Sequence, residues 1–176
     1  MLNLQKLHFG GDYNPEQWDK SVWKQDIELM QKAGVNLVSL GIFSWAKLEP
    51  SEGKYDFAWL DEVVELLHQG GISIDMATAT ASPPAWMTLA YPEVLPVNFD
   101  GVRLSHGGRQ QYCAASPVYR KKAAVLVEQI AKRYAKHPAV VMWHVNNEYG
   151  CHAPYCYCEN SRSAFVDWLK KKYDSI

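Results

Sequence analysis

The fold is decided by the stretch VVMWHVNNEYG, residues 140–150, in which an apolar run ends abruptly in polar residues. The run 140–145 predicts a buried strand, and Asn147 and Glu148 follow where this strand would end. In parallel βα architectures, catalytic groups collect at the carboxyl ends of the strands, because the loops there surround a concave mouth. The stretch therefore predicts that Glu148 is a general acid/base. The alternative is that the Asn-Glu pair only caps the next turn.

Outward from this stretch, the order strand, loop, helix repeats four times. The strands are almost continuously apolar and the helices are amphipathic, which favours a parallel sheet with covered faces. A complete eight-fold barrel needs about 250 residues, so the chain is predicted to be an α/β domain, 1–176, forming the N-terminal half of a TIM (β/α)8 barrel. A doubly wound sheet is the alternative, although no Gly-x-Gly-x-x-Gly follows the first strand. The predicted strands are 4–9, 35–43, 72–77 and 140–145, and the predicted helices are 19–33, 57–69, 117–134 and 162–173.

The composition narrows the class of protein. The chain of 176 residues is 48% hydrophobic with a formal net charge of −1, which is typical of a globular domain. No long basic stripe points to nucleic acid, and no run is long and apolar enough to predict a membrane partner. With no leader pattern at the N-terminus, we expect a cytoplasmic protein. Seven Trp and ten Tyr are typical of a sugar site as well as of a core.

A long connection, residues 82–116, separates the third strand from the third helix. We refer to it as the long loop. It is interrupted by prolines and glycines and is too long for an ordinary βα connection, so we expect a functional role. Trp86, Tyr91, Phe99 and Tyr112 argue against disorder, because disordered segments contain few aromatic residues.

The order of motifs along the whole chain resembles the N-terminal part of glycoside hydrolase family 42, the β-galactosidases. The resemblance implies that Glu148 protonates the glycosidic oxygen and later deprotonates water, that Asn147 binds the sugar 2-hydroxyl, and that Arg109 contacts the sugar and a neighbouring carboxylate. It also implies a β-galactoside or galacto-oligosaccharide substrate, no cofactor for catalysis, and a trimer in complete members. The motifs are GGDYNPEQW (10–18), FSWAKLEP (43–50), ATASPPAW (79–86), GRQQYC (108–113), SPVYR (116–120) and NEYGCH (147–152).

The resemblance also implies a retaining mechanism. Such a mechanism needs one carboxyl that is neutral at the start and a second, ionised carboxyl about 5–5.5 Å away that acts as nucleophile. An apolar, Trp-rich mouth is expected to keep Glu148 protonated by desolvating its anion. The resemblance places the nucleophile at the end of the seventh strand, so we assign that role to no residue of this chain.

Four cysteines raise the question of a metal. By resemblance, Cys113, Cys156 and Cys158 match three ligands of a structural zinc found in some family members, but Ser161 stands at the fourth position. A hydroxyl is a poor substitute for a thiolate in such a site, and Cys151 or His152 are alternative donors. Reduced thiols without metal are the other reading, and a disulfide is the least expected in a cytosolic protein.

Two other functions are left open by the sequence. The chain by itself can be a catalytically inactive sugar-binding or assembly module, because half of a parallel barrel exposes strand edges that favour pairing. It can also be a zinc-stabilised domain whose glycosidase resemblance is a relic.

Overall fold

A computed structural model describes residues 7–107 and 109–173 and shows a four-stranded parallel sheet. The strand order is the same as the order in sequence, whereas the order in a doubly wound sheet reverses at a switch point. This topology confirms the predicted half-barrel. The strands are β1 (Asp12–Tyr13), β2 (Leu37–Leu40), β3 (Ser73–Ala77) and β4 (Val140–His144); the helices are α1 (Trp23–Lys32), α2 (Trp45–Leu48), α3 (Ala58–Gln69), α4 (Ala85–Ala90), α5 (Pro117–Tyr134) and α6 (Glu159–Tyr173).

The prediction for the first strand was wrong in position. Residues 7–9 are not in a strand, 1–6 lie outside the described residues, and β1 begins only at Asp12. The chain nevertheless runs beside β2 from Phe9 onward, because the Phe9 carbonyl accepts from the backbone N–H of Asn36 at 2.9 Å. Gly10 permits this approach, since a Cβ there would lie 1.6 Å from the Leu37 carbonyl oxygen.

The core lies between the sheet and the helices of the first three units. Helix α3 shows why it forms there, because its apolar residues recur with a spacing of three and four and face the sheet together. Each fully buried side chain of this size contributes about 1.5–3 kcal/mol. The buried residues of α3 are Leu60, Val63, Val64 and Leu67, and those of β3 include Ile74 and Met76.

Helix α5 has the predicted bounds and the predicted start. Ser116 is the N-cap, and its Oγ accepts from the Tyr119 backbone N–H at 3.3 Å. Pro117 occupies the first helical position, where its missing N–H costs nothing.

The long loop is ordered and partly helical. It contains α4 and a 3₁₀ turn, Pro92–Val94, and it buries Met87 and Val94 in the core. The expectation of an ordered loop is confirmed, and its packing fixes the path of the residues that approach the end of β4.

The fourth unit is open on one side. Neither β4 nor α6 contains a fully buried residue, and no helix among the described residues is long and apolar enough to cross a membrane. Helix α6 also begins at Glu159, three residues before the predicted start.

Candidate active site

Backbone strain is concentrated beyond the carboxyl ends of β3 and β4. In the described part of the chain, four non-glycine residues have positive φ angles: Ala79 (57°), Gln110 (60°), Asn146 (60°) and Glu148 (38°). Such conformations cost on the order of 1–3 kcal/mol each, and they persist where the surrounding structure holds them. Two of the four lie in residues 145–150, the β4 turn, which carries the predicted acid/base.

Asn146 anchors the β4 turn to its surroundings. Its backbone N–H donates to Thr78 Oγ1 at 3.0 Å, and its side-chain amide donates to the Tyr112 hydroxyl at 2.7 Å. The Asn146 Oδ1 accepts from the Asn147 N–H at 2.7 Å, which orients the next peptide. The sequence assigned no role to Asn146, because a partner 68 residues away along the chain leaves no local signal.

Gln110 fastens the long loop to the same turn. Its side-chain amide donates to the backbone carbonyl of Asn147, and its backbone N–H donates to the Ala81 carbonyl at 2.7 Å. Gln110 is buried, and its Oε1 has no partner among the described residues. The GRQQYC motif contained this residue, but the pattern alone did not reveal the contact.

Two stacked tyrosines pack next to the contact between the long loop and the β4 turn. The rings of Tyr112 and Tyr119 lie 3.9 Å apart, and the Tyr119 hydroxyl donates to the Thr80 carbonyl at 2.9 Å. Burial, aided by the hydrogen bond with Tyr112, raises the pKa of Tyr119 well above its usual range. Tyr119 therefore stays neutral and serves packing and hydrogen bonding.

Glu148 itself projects into open space. Its side chain is exposed and makes no hydrogen bond or ion pair with the described residues, while Asn147 is half-buried. The desolvating apolar mouth expected from the sequence is therefore not supplied by the described residues. A carboxylate oxygen of Glu148, Cys151 Sγ and a ring nitrogen of His152 lie within 4.8 Å of one another.

Arg109 lies in a separate hollow of about 380 Å³ that Asn147 and Glu148 do not line. Its guanidinium carbon lies 4.4 Å from the centre of the Phe43 ring. Arg109 forms no ion pair with the described residues. Its N–H donors are available to a ligand, and the next residue in the chain, Gln110, touches the β4 turn.

Three polar side chains from neighbouring strands contact one another on the sheet. Ser39 Oγ donates to Asp75 Oδ2 at 3.0 Å, and His144 Nδ1 lies 3.4 Å from the same oxygen. The second carboxylate oxygen of Asp75 is buried without a partner among the described residues. His144 is thus engaged by Asp75 on the sheet. Trp45 packs in the core, and its indole N–H donates to a Glu49 carboxylate oxygen at 2.8 Å.

The structure brings together the three cysteines predicted as metal ligands. The sulfur atoms of Cys113, Cys156 and Cys158 lie within 4.8 Å of one another, and Cys113 and Cys158 are 3.5 Å apart. Thiolates about 2.3 Å from a tetrahedral zinc lie roughly 3.8 Å apart, so the spacing fits this ion. All four cysteines of the chain are free thiols.

The environment distinguishes the thiols from one another. Burial raises the pKa of Cys113 to about 11. Burial also opposes ionisation of Cys156, but hydrogen bonds from Ser161 and the Val97 N–H lower its pKa to about 7. Cys156 therefore ionises more readily than Cys113. Cys151 lies with Glu148 instead of with these three residues.

Comparison with known proteins gives a single answer along the whole chain. A family described as β-galactosidase, glycoside hydrolase family 42, matches residues 12–176. The β-galactosidase LacZ of Heyndrickxia coagulans is 58% identical over 172 residues, which is 98% of this chain and 26% of that protein. The β-galactosidase bgaB of Geobacillus kaustophilus is 54% identical over 98% of this chain and 26% of its own length.

Solved structures agree with the sequence matches. The β-galactosidase from Bacillus circulans sp. alkalophilus superposes with a TM-score of 0.93 at 45% identity, covering 99% of this chain and 26% of that one. The cold-adapted β-galactosidase from Rahnella sp. R3 gives a TM-score of 0.91 at 49% identity, over 96% and 25%. The chain thus spans about a quarter of the length of the curated relatives it matches.

Proposed function

The chain belongs to the β-galactosidases of glycoside hydrolase family 42, and we propose that it supplies the acid/base part of a retaining catalytic barrel. The substrates are β-D-galactosides or galacto-oligosaccharides, from which the enzyme releases the terminal non-reducing galactose. The observation that carries the proposal is the position of Glu148, a carboxylate at the end of β4 on a strained and anchored turn, with no hydrogen-bond or ion-pair partner among the described residues.

In this mechanism Glu148 gives its proton to the glycosidic oxygen as the bond to the sugar carbon breaks. A second, ionised carboxylate about 5–5.5 Å away forms the covalent glycosyl intermediate. Glu148 then takes a proton from the water that releases the sugar. We place the second carboxylate in the part of the relatives' length that these residues do not cover.

The neighbours of Glu148 have positioning and binding roles. The side chain of Asn147 would hydrogen-bond the 2-hydroxyl of the sugar, and its peptide is held by Asn146 and Gln110. Arg109 would donate to the substrate, since it is exposed and no described carboxylate engages it. Holding reacting groups in one geometry in this way lowers the entropic part of the barrier.

The test replaces the corresponding quarter of the Heyndrickxia coagulans enzyme with this chain. In this chimera, Glu148→Gln is expected to slow hydrolysis of lactose about 10²–10⁴-fold, because the leaving alkoxide is no longer protonated. Glycosylation by a dinitrophenyl galactoside should slow far less, because that leaving group departs without a proton. The matched control is Glu128→Gln, an exposed carboxylate on α5.

Two outcomes would contradict the assignment. Unchanged lactose hydrolysis in Glu148→Gln would remove Glu148 from the mechanism. An equal loss with both leaving groups would indicate a nucleophile instead of an acid/base.

We also propose that Cys113, Cys156 and Cys158 hold a structural zinc. The support is the spacing of the three sulfur atoms and the burial of Cys113 and Cys158. A zinc here would tie the long loop to the segment after the β4 turn, and it would take no part in bond cleavage. The predicted cytoplasmic location and the trimeric state of the whole enzyme stay predictions.

A further inference from the structure

Ser161 lies where a fourth ligand of the three-cysteine cluster would be. It is in the first turn of α6, which begins directly after Cys158. Its Oγ is 3.2 Å from Cys113 Sγ and 3.7 Å from Cys158 Sγ. The hydroxyl is therefore directed toward the sulfur atoms instead of toward solvent.

The distances fit a mixed sulfur and oxygen centre. With zinc bonds of about 2.3 Å to sulfur and about 2.0 Å to oxygen, an oxygen and a sulfur at two corners of a tetrahedron lie roughly 3.5 Å apart. The two measured distances from Ser161 Oγ lie on either side of this value. The other donors considered from the sequence, Cys151 and His152, group with Glu148.

The oxygen corner is accessible, together with the neighbouring Cys156. Cys113 and Cys158 are buried, whereas Cys156 and Ser161 are half-buried. Two hollows of about 300 and 340 Å³ are both lined by Cys156 and Ser161. Water or a small ligand can therefore approach the position of the serine from either hollow, whereas Cys113 lines neither of them.

We propose that Ser161 is the fourth donor of this metal centre, and that its hydroxyl makes the fourth position exchangeable with water or a small thiol. This inference rests on the zinc proposed above and concerns how that zinc is held. A neutral hydroxyl is a weaker zinc ligand than a thiolate, so the centre is open at one corner, whereas structural sites are normally closed by four protein ligands. The ligand class for the open position is a small thiol or another soft monodentate donor.

The experiment follows Co²⁺ and Zn²⁺ bound to the full chain. A phosphine reductant keeps the cysteines reduced, so that no small thiol is present at the start. It compares the wild type with Ser161→Cys and Ser161→Ala, and the matched control is Ser163→Ala, an exposed serine on the same helix. The readouts are the Co²⁺ absorption spectrum, the rate of zinc transfer to a chelator, and the change of the spectrum when 2-mercaptoethanol is added.

We expect one metal ion per chain in the wild type and in the control. Zinc should leave the wild type at least roughly tenfold faster than Ser161→Cys, equivalent to about 1.4 kcal/mol or more. Added 2-mercaptoethanol should shift the Co²⁺ spectrum of the wild type and leave that of Ser161→Cys unchanged. Ser161→Ala should have an altered spectrum, because water replaces the hydroxyl.

Three outcomes would overturn the inference. No metal uptake by either the wild type or Ser161→Cys would remove both the zinc and the open corner. Uptake with equal release rates and no response to the thiol would leave the zinc in place and refute the exchangeable position. A Ser161→Ala spectrum identical to that of the wild type would show that Ser161 is not a donor.

Discussion

Helices α3 and α6 each follow a strand and each carry apolar residues at helical spacing, yet they differ in what they bury. Four residues of α3 are buried against the sheet, whereas no residue of α6 is. On α6, Phe165 and Trp168 are 58% and 49% exposed. The same pattern therefore gives a closed unit where both neighbours are present and an open one where no described residue packs on the far side.

The strands repeat this difference. Four of the five residues of β3 are buried, while β4 has Met142 and Trp143 exposed by 39% and 36%. Strand β4 pairs with β3 on one side only. Amphipathic patterning thus predicts which face of a helix or strand is apolar. Whether that face is buried depends on the elements that lie beside it.

The largest expected effect contrasts the two helices directly. Leu67→Ala on α3 should lower the free energy of unfolding by about 2–5 kcal/mol, because it leaves a cavity in a packed core. Trp168→Ala on α6 should lower it by less than about 1 kcal/mol, because exposed substitutions have small effects. Urea denaturation of both variants measures the difference. Equal losses would show that α6 is as firmly packed as α3.

A smaller effect tests how the first three units, the closed part, hold the turn after β4. Asn146→Ala removes the partner of Tyr112 and breaks the contact that orients Asn147. Leaving such polar groups unsatisfied costs about 1–3 kcal/mol. The matched control, Asn160→Ala on α6, should unfold at the same urea concentration as the wild type. An Asn146→Ala variant as stable as the wild type would show that the Asn146 side chain does not help to hold β4.

The open unit should also mediate association of the isolated chain. Val145, after β4, is 63% exposed, and the unpaired edge of β4 offers backbone groups to another chain. Val145→Lys should weaken self-association roughly tenfold, equivalent to about 1.4 kcal/mol, by sedimentation at several concentrations. Val125→Lys, on the outer surface of α5, should leave it unchanged. A wild-type chain that is monomeric at every concentration would contradict this prediction.

The smallest effect is a pH dependence confined to the closed part. Burial raises the pKa of Asp61, but hydrogen bonds from Arg133 and Tyr134 outweigh it and hold this pKa below its usual range. A carboxyl with a depressed folded-state pKa adds stability above its unfolded pKa of about 3.9, and this is lost as pH falls through the folded value. The midpoint of thermal unfolding should therefore fall below about pH 4 less steeply in Asp61→Asn than in the wild type. If the unfolding midpoints of Asp61→Asn and the wild type fall identically at low pH, Asp61 does not contribute to the acid dependence. Glu62→Gln is the control on the same helix.

Local sequence signals predicted most of the helices and strands in the first three units. The serine and proline at the start of α5 gave its N-terminus, because the capping hydrogen bond spans only three residues. The position of β1 was missed, since it depends on the packing of Gly10 against Leu37 instead of on apolar content. Strand order followed from the alternation of strands and helices.

The candidate site was predicted only in part. The strand pattern placed Asn147 and Glu148 correctly at the end of β4, and the family resemblance identified three cysteines that meet in space. The contact between Gln110 and Asn147 was missed, because it depends on the folded path of the long loop. The exposure of Glu148 was also missed, because exposure depends on what packs around the β4 turn and not on the residues next to it in sequence.

The identity of strand order and sequence order has a consequence for biosynthesis. Each strand pairs with the one made before it, so the sheet can grow one strand at a time as the chain leaves the ribosome. The longest connection is the one between β3 and β4, which contains the long loop and α5, but closure entropy rises by only about 0.6 kcal/mol for each doubling of length. Glu148 would thus reach its position only after the three preceding strands have been translated and can template the fourth.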